Sequence, residues 1–186
     1  VAMVYTGYRR VYQDASLNAD IVPDLQGHVL AELLCDNFIG PTSSVILRRC
    51  VFEEVGGFDV AYQASQDYDL YLRIARGYAI RGVSEVLTLS HRHGDGNIGS
   101  DTDAKLAAFY LLLERHADLF DAVPEARTGH IQRMATRLVH RGRGSDARRV
   151  LGKGLQARPF DLRLVALWGL SYWPRGIAQG IVALKA

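Results

Sequence analysis

The first hundred residues combine short extended patterns with short helical ones. β-branched and aromatic residues dominate residues 1–12, which predicts a strand. A second short strand is predicted at residues 44–48, and two extended runs follow near 78–83 and 85–91. Residues 13–23 are polar and indicate a turn. Strands that are interleaved with helices are typical of the α/β class.

Three helices are predicted among these strands. Residues 24–36 place apolar side chains at helical spacing. A shorter helix over residues 51–55 is stopped by a Gly-Gly pair. The third helix begins after Ser65, its predicted N-cap, and ends at Gly77. Its apolar face is formed by Tyr68, Tyr71, Leu72 and Ala75.

From residue 102 onward the whole pattern is helical, and prolines separate several of the pieces. The predicted helices span 102–121, 125–140, 145–157, 160–172 and 175–185. We therefore predict an α/β domain over residues 1–100 and an all-α tail over residues 101–186.

One stretch of the tail matches the second helix of a tetratricopeptide-like hairpin. The matching residues are Ala147, Leu151, Gly154, Leu155 and Pro159. Such repeats occur in stacked copies, and the sequence holds one. It fits either a hairpin of this kind or a plain helical hairpin that packs on the first domain.

Charge limits the classes of partner. The formal net charge is +2, which is too small to indicate a nucleic-acid partner by itself. The stretch from 127 to 163 is nevertheless rich in arginine and poor in acid. It fits either a solvated helical face or contact with a membrane surface or another anionic partner.

The cysteines and the N-terminus bear on location. Cys35 and Cys50 are the two cysteines, and neither belongs to a metal-binding spacing, so we expect reduced thiols in a cytoplasmic protein. No run reaches the roughly 18 apolar residues of a spanning helix, and the start lacks the features of a signal peptide. Because a strand-like run begins at Val1, we expect the chain to be part of a longer protein.

Four motifs follow one another in the first domain. They are NFIGPTSSVILRR at 37–49, EEVGGFD at 53–59, QDYDLYLRIA at 66–75 and HRHGDGN at 91–97. Their order and spacing resemble the acceptor half of the family 2 glycosyltransferases. In that family an NxIGPSS-type strand, an EEVGGFD turn, an EDYDL-type helix and an RxH strand end occur in this order. The resemblance covers residues 1–100.

The resemblance implies a partial GT-A fold, that of the nucleotide-diphospho-sugar transferases, without the half that binds the donor nucleotide. It implies transfer of a sugar from a nucleotide-diphosphate donor to a saccharide or lipid-linked acceptor, with inversion at the anomeric carbon. Mn²⁺ or Mg²⁺ would bind the diphosphate in the intact enzyme, held mainly by an upstream DxD element. We expect the chain alone to be inactive and to bind the donor weakly.

Asp67 stands where the family has its catalytic base, the second acid of a Glu-Asp pair. Such a carboxylate takes the proton of the acceptor hydroxyl as the oxygen attacks the sugar. Without the resemblance, Asp67 would be interpreted as a partner of the helix dipole, and that dipole predicts a lowered pKa. Gln66 replaces the usual Glu, and it keeps the hydrogen-bonding shape without the charge.

Two further residues of the same helix are interpreted as support for the acceptor site. Asp69 lies four residues before Arg73, a spacing that pairs charges along a helix. We therefore predict a structural Asp69–Arg73 pair. Together with Gln66 on the same helix, it is expected to bind the acceptor or to support its site.

His93 matches the histidine of the RxH element, and this match implies a contact with the metal or the donor diphosphate. His91 would share its face in an extended strand, but two imidazoles do not make a metal site. Residues 101–103 read Asp-Thr-Asp, yet they open a helix and predict an N-cap. The GDGN segment fits either a mobile loop over the donor sugar or a surface turn.

The resemblance therefore implies an inverting glycosyltransferase of cell-envelope polysaccharide synthesis. We expect it in the cytoplasm or peripherally at the inner face of the membrane. Its expected partners are a nucleotide-sugar donor and an acceptor, without nucleic acid. We expect the chain to self-associate as a homodimer, because without the other half of the domain the strands at 2–12 and 44–48 lose neighbours that pair with them and cover them. The helical tail could instead fold over the gap and keep the chain monomeric. The alternative function is a non-catalytic protein-interaction module that uses the helical tail. The retained Asp67 and His93 favour the enzyme.

Overall fold

The computed structural model describes residues 1–91 and 101–173. The chain divides into two compact units, Val1–Leu112 and Leu113–Ala186. The first unit carries the sheet, and the described part of the second unit is helical. This mixed content agrees with the predicted α/β class.

The sheet of the described residues has four strands: β1 Met3–Val11, β2 Ala19–Ile21, β3 Val45–Leu47 and β4 Ile80–His91. The described helices are α1 Leu30–Cys35, α2 Arg49–Glu54, α3 Gln66–Gly77, α4 Thr102–Arg115, α5 Ala117–Ala122, α6 Pro124–His140, α7 Gly144–Ala157 and α8 Leu162–Leu170. Short 3₁₀ turns lie at Ala15–Leu17 and Thr42–Ser44.

β1 is the central strand of the sheet. β2 and β3 pair antiparallel with its two halves, through Tyr8–Arg10 and Met3–Tyr5 respectively. β4 pairs parallel with β1 along its whole length. β1 therefore has neighbours on both sides, and the expectation that this strand lacks them is wrong. The sequence signal could not show this arrangement, because β4 follows β1 by almost seventy residues.

The two extended runs predicted near 78–83 and 85–91 form one strand, β4. The break predicted between the two runs coincides with an irregularity of β4, whose register against β1 shifts on both sides of Gly7. A side chain at Gly7 would lie 2.9 Å from the carbonyl oxygen of Glu85, so glycine permits the close approach.

The core of the first unit is formed by residues of β1, β4, α1 and α3 and of the loop after α1. Its fully buried side chains include Met3, Tyr5, Leu33, Ile39, Leu70, Leu72, Ile74 and Ile80. Tyr68 links the two helices, since its hydroxyl donates to the carbonyl oxygen of Leu33 at 2.7 Å. All four residues of the predicted apolar face of α3 are buried, which confirms that prediction.

α1 is shorter than the helix predicted over 24–36. The segment before it is held in an extended form by the sheet. Tyr5 donates its hydroxyl to the carbonyl oxygen of Leu25 at 2.7 Å, and Gly27 exchanges backbone hydrogen bonds with Ile80. These long-range contacts override the local helical spacing.

α2 ends in a Gly-Gly turn, as predicted. The N–H of Gly57 donates to the carbonyl oxygen of Phe52 at 2.8 Å, and the N–H of Gly56 donates to that of Glu53 at 3.1 Å. Both glycines have positive φ, at 66° and 85°. This bond pattern is a Schellman motif, and it turns the chain sharply after the helix.

In the second unit, α6 and α7 form a helical hairpin and α8 packs on both. Gly154 explains part of the tetratricopeptide-like pattern. A side chain there would lie 2.8 Å from Leu164 Cδ1 and 3.0 Å from Ile131 Cγ2, so the glycine lets three helices approach closely. A hairpin of this kind fits both interpretations of the pattern.

The helix boundaries of the tail differ from the prediction in three places. The helix predicted over 102–121 is broken at the buried His116 into α4 and α5. α8 is shorter than 160–172 and begins at Asp161, which accepts the N–H groups of Arg163 and Leu164. The helix predicted over 175–185 lies outside the described residues. Asp101 accepts the N–H groups of two residues at the start of α4, and this confirms the predicted capping role.

The basic stretch of the tail is partly neutralised within the second unit. Arg127 pairs with Asp121, Arg143 with Asp146, and Arg158 with Glu125, at 2.6–2.8 Å. Such pairing is typical of a solvated helical face. None of the helices in residues 1–91 and 101–173 has the length and hydrophobicity needed to cross a membrane.

We expect Gly154→Val to destabilise the protein by about 1–3 kcal/mol, because the new side chain overpacks the junction of α6, α7 and α8. The matched control is Gly152→Val on the same helix. A side chain there meets Trp168 at an ordinary 3.6 Å, and valine has a better helix propensity than glycine. Urea unfolding followed by circular dichroism compares the two. Equal stabilities would contradict the close three-helix packing.

Candidate functional site

α3 begins at a strained backbone position. Ser65 has φ 61° and ψ 22°, in the left-handed region, and among the described residues it is the one non-glycine with positive φ. Such a conformation costs on the order of 1–3 kcal/mol, and strained residues cluster at functional sites. Ser65 occupies the predicted N-cap position, but its side chain makes no capping hydrogen bond. Its carbonyl oxygen accepts the N–H of Asp69 at 3.1 Å instead.

Asp67 lies in the first turn of α3 and is half-buried. Burial raises the pKa of its carboxyl group. Hydrogen bonds from the backbone N–H groups of Tyr68 and of Asp67 itself, and the charge of Lys105 on α4, offset only part of this effect. The lowered pKa that the helix dipole predicted is therefore wrong, because desolvation outweighs the favourable electrostatics of the helix start.

Tyr71 lies one helical turn after Asp67 and is fully buried. Its hydroxyl makes no hydrogen bond of normal distance and angle among the described residues. The side chain of Thr42 lies beside it. Burial and the charge of Asp67 both raise the pKa of Tyr71. The sequence placed this residue on an apolar helix face, and no motif marked its hydroxyl as part of a site.

The NFIGPTSS segment carries Thr42 to this place. Gly40 has φ 87°, and a side chain there would collide with the ring of Tyr8 on β1. The hydroxyl of Ser44 donates to the carbonyl oxygen of Pro41 at 2.7 Å and closes the turn. The loop therefore packs closely on the central strand before Thr42 and is closed by its own hydrogen bond around Thr42.

Arg73 fastens α3 to the turn that follows α2. Its Nη2 lies 2.7 Å from Oδ2 of Asp69, whose side chain is only 3% exposed. The same guanidinium donates to the carbonyl oxygens of Val55 and Gly57, at 2.6 Å for Gly57. The predicted Asp69–Arg73 pair is therefore present, and it also ties the EEVGGFD motif to the QDYDL motif.

A pocket of about 290 Å³ opens beside the first turn of α3. Its lining residues are Thr42, Phe58, Asp59, Val60, Tyr62 and Gln66. Two aromatic residues are combined with hydroxyl, amide and carboxylate groups, and no basic side chain is among the lining residues. Such a surface suits an uncharged ligand with many hydroxyl groups. The structure thus places Gln66 at the edge of a pocket.

The pocket also contains residues that sequence reasoning missed. Phe58 and Asp59 belong to the EEVGGFD turn, and Phe58 remains 43% exposed. Its ring packs against that of Phe52, with centroids 5.6 Å apart, so it is held in place. An exposed phenylalanine between a Gly-Gly stop and an acid was the available signal for a binding role.

The two predicted metal-site histidines are not brought into a ligand cluster that the structure describes. His91 ends β4 and is exposed. His93 and the GDGN segment lie outside the described residues. Within residues 1–91 and 101–173, no three His, Cys, Asp or Glu side chains come together as a metal site. The described residues therefore do not assemble a site for Mn²⁺ or Mg²⁺.

No family model, curated protein or solved structure matches this chain. The chemical capacity of the site therefore follows from its geometry. A half-buried carboxyl group with a raised pKa lies at a strained helix start, next to a residue that lines a pocket. Perturbed titratable groups beside a concave surface are typical of proton-transfer sites.

Arg73→Met should cost about 3–5 kcal/mol of stability, because it removes the guanidinium partner of the buried Asp69 carboxylate. Adding Asp69→Leu should restore most of the loss, since no unpaired charge then remains in the core. Urea unfolding of the single and double variants measures both effects. If the double variant were as unstable as the single one, the pair would not be the source of the loss.

Asp67→Asn should increase stability at pH 7. A raised pKa means that the folded protein binds the proton of Asp67 more tightly than the unfolded chain does. Ionisation therefore reduces stability as the pH rises through the folded-state pKa. The gain from asparagine should disappear below the ordinary aspartate pKa of about 3.9. Asp20→Asn, at an exposed residue paired with Arg9, is the control and should give no gain. A loss at pH 7 in Asp67→Asn would contradict the raised pKa.

Proposed function

We propose that this chain provides the acceptor side of an inverting glycosyltransferase, with Asp67 as the base that deprotonates the acceptor hydroxyl. The observation that carries the proposal is the raised pKa of a half-buried carboxyl group directly beside a pocket residue, Gln66. The ordered resemblance of four motifs to family 2 glycosyltransferases supports it independently.

The proposed acceptor is the saccharide part of a sugar chain or of a lipid-linked sugar. Phe58 offers an exposed apolar ring on which a sugar can lie. Gln66 and Thr42 offer amide and hydroxyl groups to the sugar hydroxyls. A phosphate in this pocket would meet the carboxylate of Asp59 without a lining basic residue, so the pocket favours an uncharged sugar ring.

The proposed reaction is a single displacement. The acceptor oxygen forms its bond to the anomeric carbon of the donor sugar, while the bond from that carbon to the nucleotide diphosphate breaks. The acceptor proton passes to a carboxylate oxygen of Asp67 and later to solvent. The raised pKa suits this role, because a base is more effective when its pKa lies closer to the working pH.

The donor nucleotide and its divalent cation belong, in this proposal, to parts of the protein outside the described residues. We propose a cytoplasmic enzyme of cell-envelope polysaccharide synthesis, either dissolved in the cytoplasm or in peripheral contact with the inner face of the membrane. Cys35 and Cys50 are not joined in a disulfide, which suits a reducing compartment.

The second candidate function is a protein-interaction module. It is favoured by the second unit, which exposes large apolar residues at the start of α8. Phe160 is 90% exposed and Leu162 is 81% exposed. An interaction module has no need of a buried carboxyl group with a raised pKa, so the effect of Asp67 on transfer separates the two functions.

In the intact protein, Asp67→Asn should lower sugar transfer by roughly 100-fold or more, the usual contribution of a general base. Donor affinity, measured by calorimetry, should stay unchanged. Asp20→Asn serves as the control and should retain full transfer. Phe58→Ala should mainly raise the acceptor KM, because the ring touches the acceptor and takes no part in the proton transfer.

Retention of more than about a tenth of the transfer rate in Asp67→Asn would exclude this residue as the base. Absence of transfer by the wild-type protein with a broad set of nucleotide sugars and saccharides, together with capture of a protein through Phe160 and Leu162, would favour the interaction module.

A further inference from the structure

The hydroxyl of Tyr71 has no role in the reaction as proposed above. It is buried and completes no regular hydrogen bond among the described residues. A buried hydroxyl without a partner costs on the order of 1–3 kcal/mol. Phenylalanine would fill the same space without that cost, so the presence of tyrosine calls for a physical explanation.

The position of Tyr71 limits which groups its hydroxyl can serve. Tyr71 and Asp67 are four residues apart on α3, so their side chains are neighbours on one face of the helix. Thr42 lies beside the hydroxyl and also lines the pocket. The candidate acceptors for the Tyr71 hydrogen are therefore one carboxylate and one hydroxyl, both at the candidate site.

The carboxylate is the stronger acceptor of the two when it is ionised. Asp67 already accepts the N–H of Tyr68 through Oδ1 at 2.8 Å. A carboxylate has two oxygens and about four acceptor positions, so this bond leaves capacity for a second donor. The charged state of Asp67 is also the state that most needs a donor, because burial disfavours it.

We infer that Tyr71 is a positioning residue for Asp67, whose ionised carboxylate it holds by donating a hydrogen bond. The bond orients the carboxylate before the reaction and weakens when Asp67 takes up the acceptor proton. Only this second step rests on the proposed function. The hydrogen bond between Tyr71 and the ionised carboxylate is inferred from their neighbouring positions on α3 and from the burial of the hydroxyl, and it does not require the proposed function.

Other groups also lie near Asp67, and a test must distinguish their effects on its pKa from the effect of Tyr71. Lys105 on α4 acts on the carboxylate through its charge. Gln66 is the adjacent residue on α3, and Thr42 faces Tyr71 from the 3₁₀ turn; both are neutral. Lys105→Gln measures the contribution of the lysine by itself, so that the effect of a Tyr71 substitution is not confused with it.

The test follows the titration of Asp67 by NMR in protein labelled with ¹³C at the aspartate carboxyl carbons, with its resonance assigned by Asp67→Asn. Tyr71→Phe should raise the titration midpoint of Asp67 by roughly one pH unit, because a hydrogen bond to the charged form is lost. Tyr78→Phe is the matched control. Tyr78 bonds Glu54 on the surface at 2.6 Å, so this change should leave the midpoint where it is.

A second measurement needs no substitution at Tyr71. In the wild-type protein, the Cζ resonance of Tyr71 should move at the pH at which Asp67 titrates. An unchanged Asp67 midpoint in folded Tyr71→Phe protein, or a Tyr71 resonance that ignores the titration, would overturn the inference and leave the proposed function standing. A coupled titration in a protein without transferase activity would support the contact and overturn the proposed function.

In an active full-length protein, Tyr71→Phe should lower kcat about tenfold with little change in the acceptor KM. The acid limb of the pH–rate profile should move together with the Asp67 midpoint. A tyrosine with only a packing role would move neither the limb nor the midpoint.

Discussion

The candidate site depends on the guanidinium of Arg73. It lies between the buried carboxylate of Asp69 and two carbonyl oxygens of the turn after α2. That turn carries Phe58 and Asp59 to one wall of the pocket, whereas α3 carries Gln66 to the other. The negative charge of Asp69 stabilises the guanidinium near the core. Because the N–H donors of a guanidinium point in fixed directions, they determine where the turn after α2 can lie. A lysine would offer a point charge without those fixed directions.

The start of α3 concentrates features that lower local stability. Ser65 holds a left-handed backbone, Asp67 is a partly desolvated acid, and Tyr71 buries a hydroxyl. Each departs from what stability alone would favour, and such departures are expected where function sets the residue. The surrounding structure sustains them, because α3 packs against α1 and buries Leu70, Leu72 and Ile74 completely.

Local rules predicted the features that depend on neighbours in the sequence. The strand at β1, the Gly-Gly end of α2, the apolar face of α3, the Asp69–Arg73 pair and the cap at Asp101 each follow from spacing within a few residues. The features that failed depend on distant contacts. The central place of β1 comes from pairing with β4, and the late start of α1 comes from backbone bonds between Gly27 and Ile80. The predicted direction of the Asp67 pKa was wrong for the same reason. A helix start in the sequence does not show how deeply the carboxyl group is buried.

Gln66 lines the pocket and directly precedes Asp67 on α3, and a neutral side chain suits both the pocket and the carboxylate. A glutamate at this position, as in the family that the sequence resembles, would place a second negative charge beside a carboxylate that is already poorly solvated. Two adjacent carboxylates would raise the pKa of one of them further and would couple the titration of the glutamate to that of Asp67. Glutamine avoids that coupling, so Asp67 titrates under the influence of burial, Lys105 and the backbone. It also brings an N–H₂ donor to a pocket whose other lining residues offer mainly acceptors and hydroxyls. Under the proposed function, the amide can bind an oxygen of the acceptor sugar while the neighbouring carboxylate remains reserved for the proton.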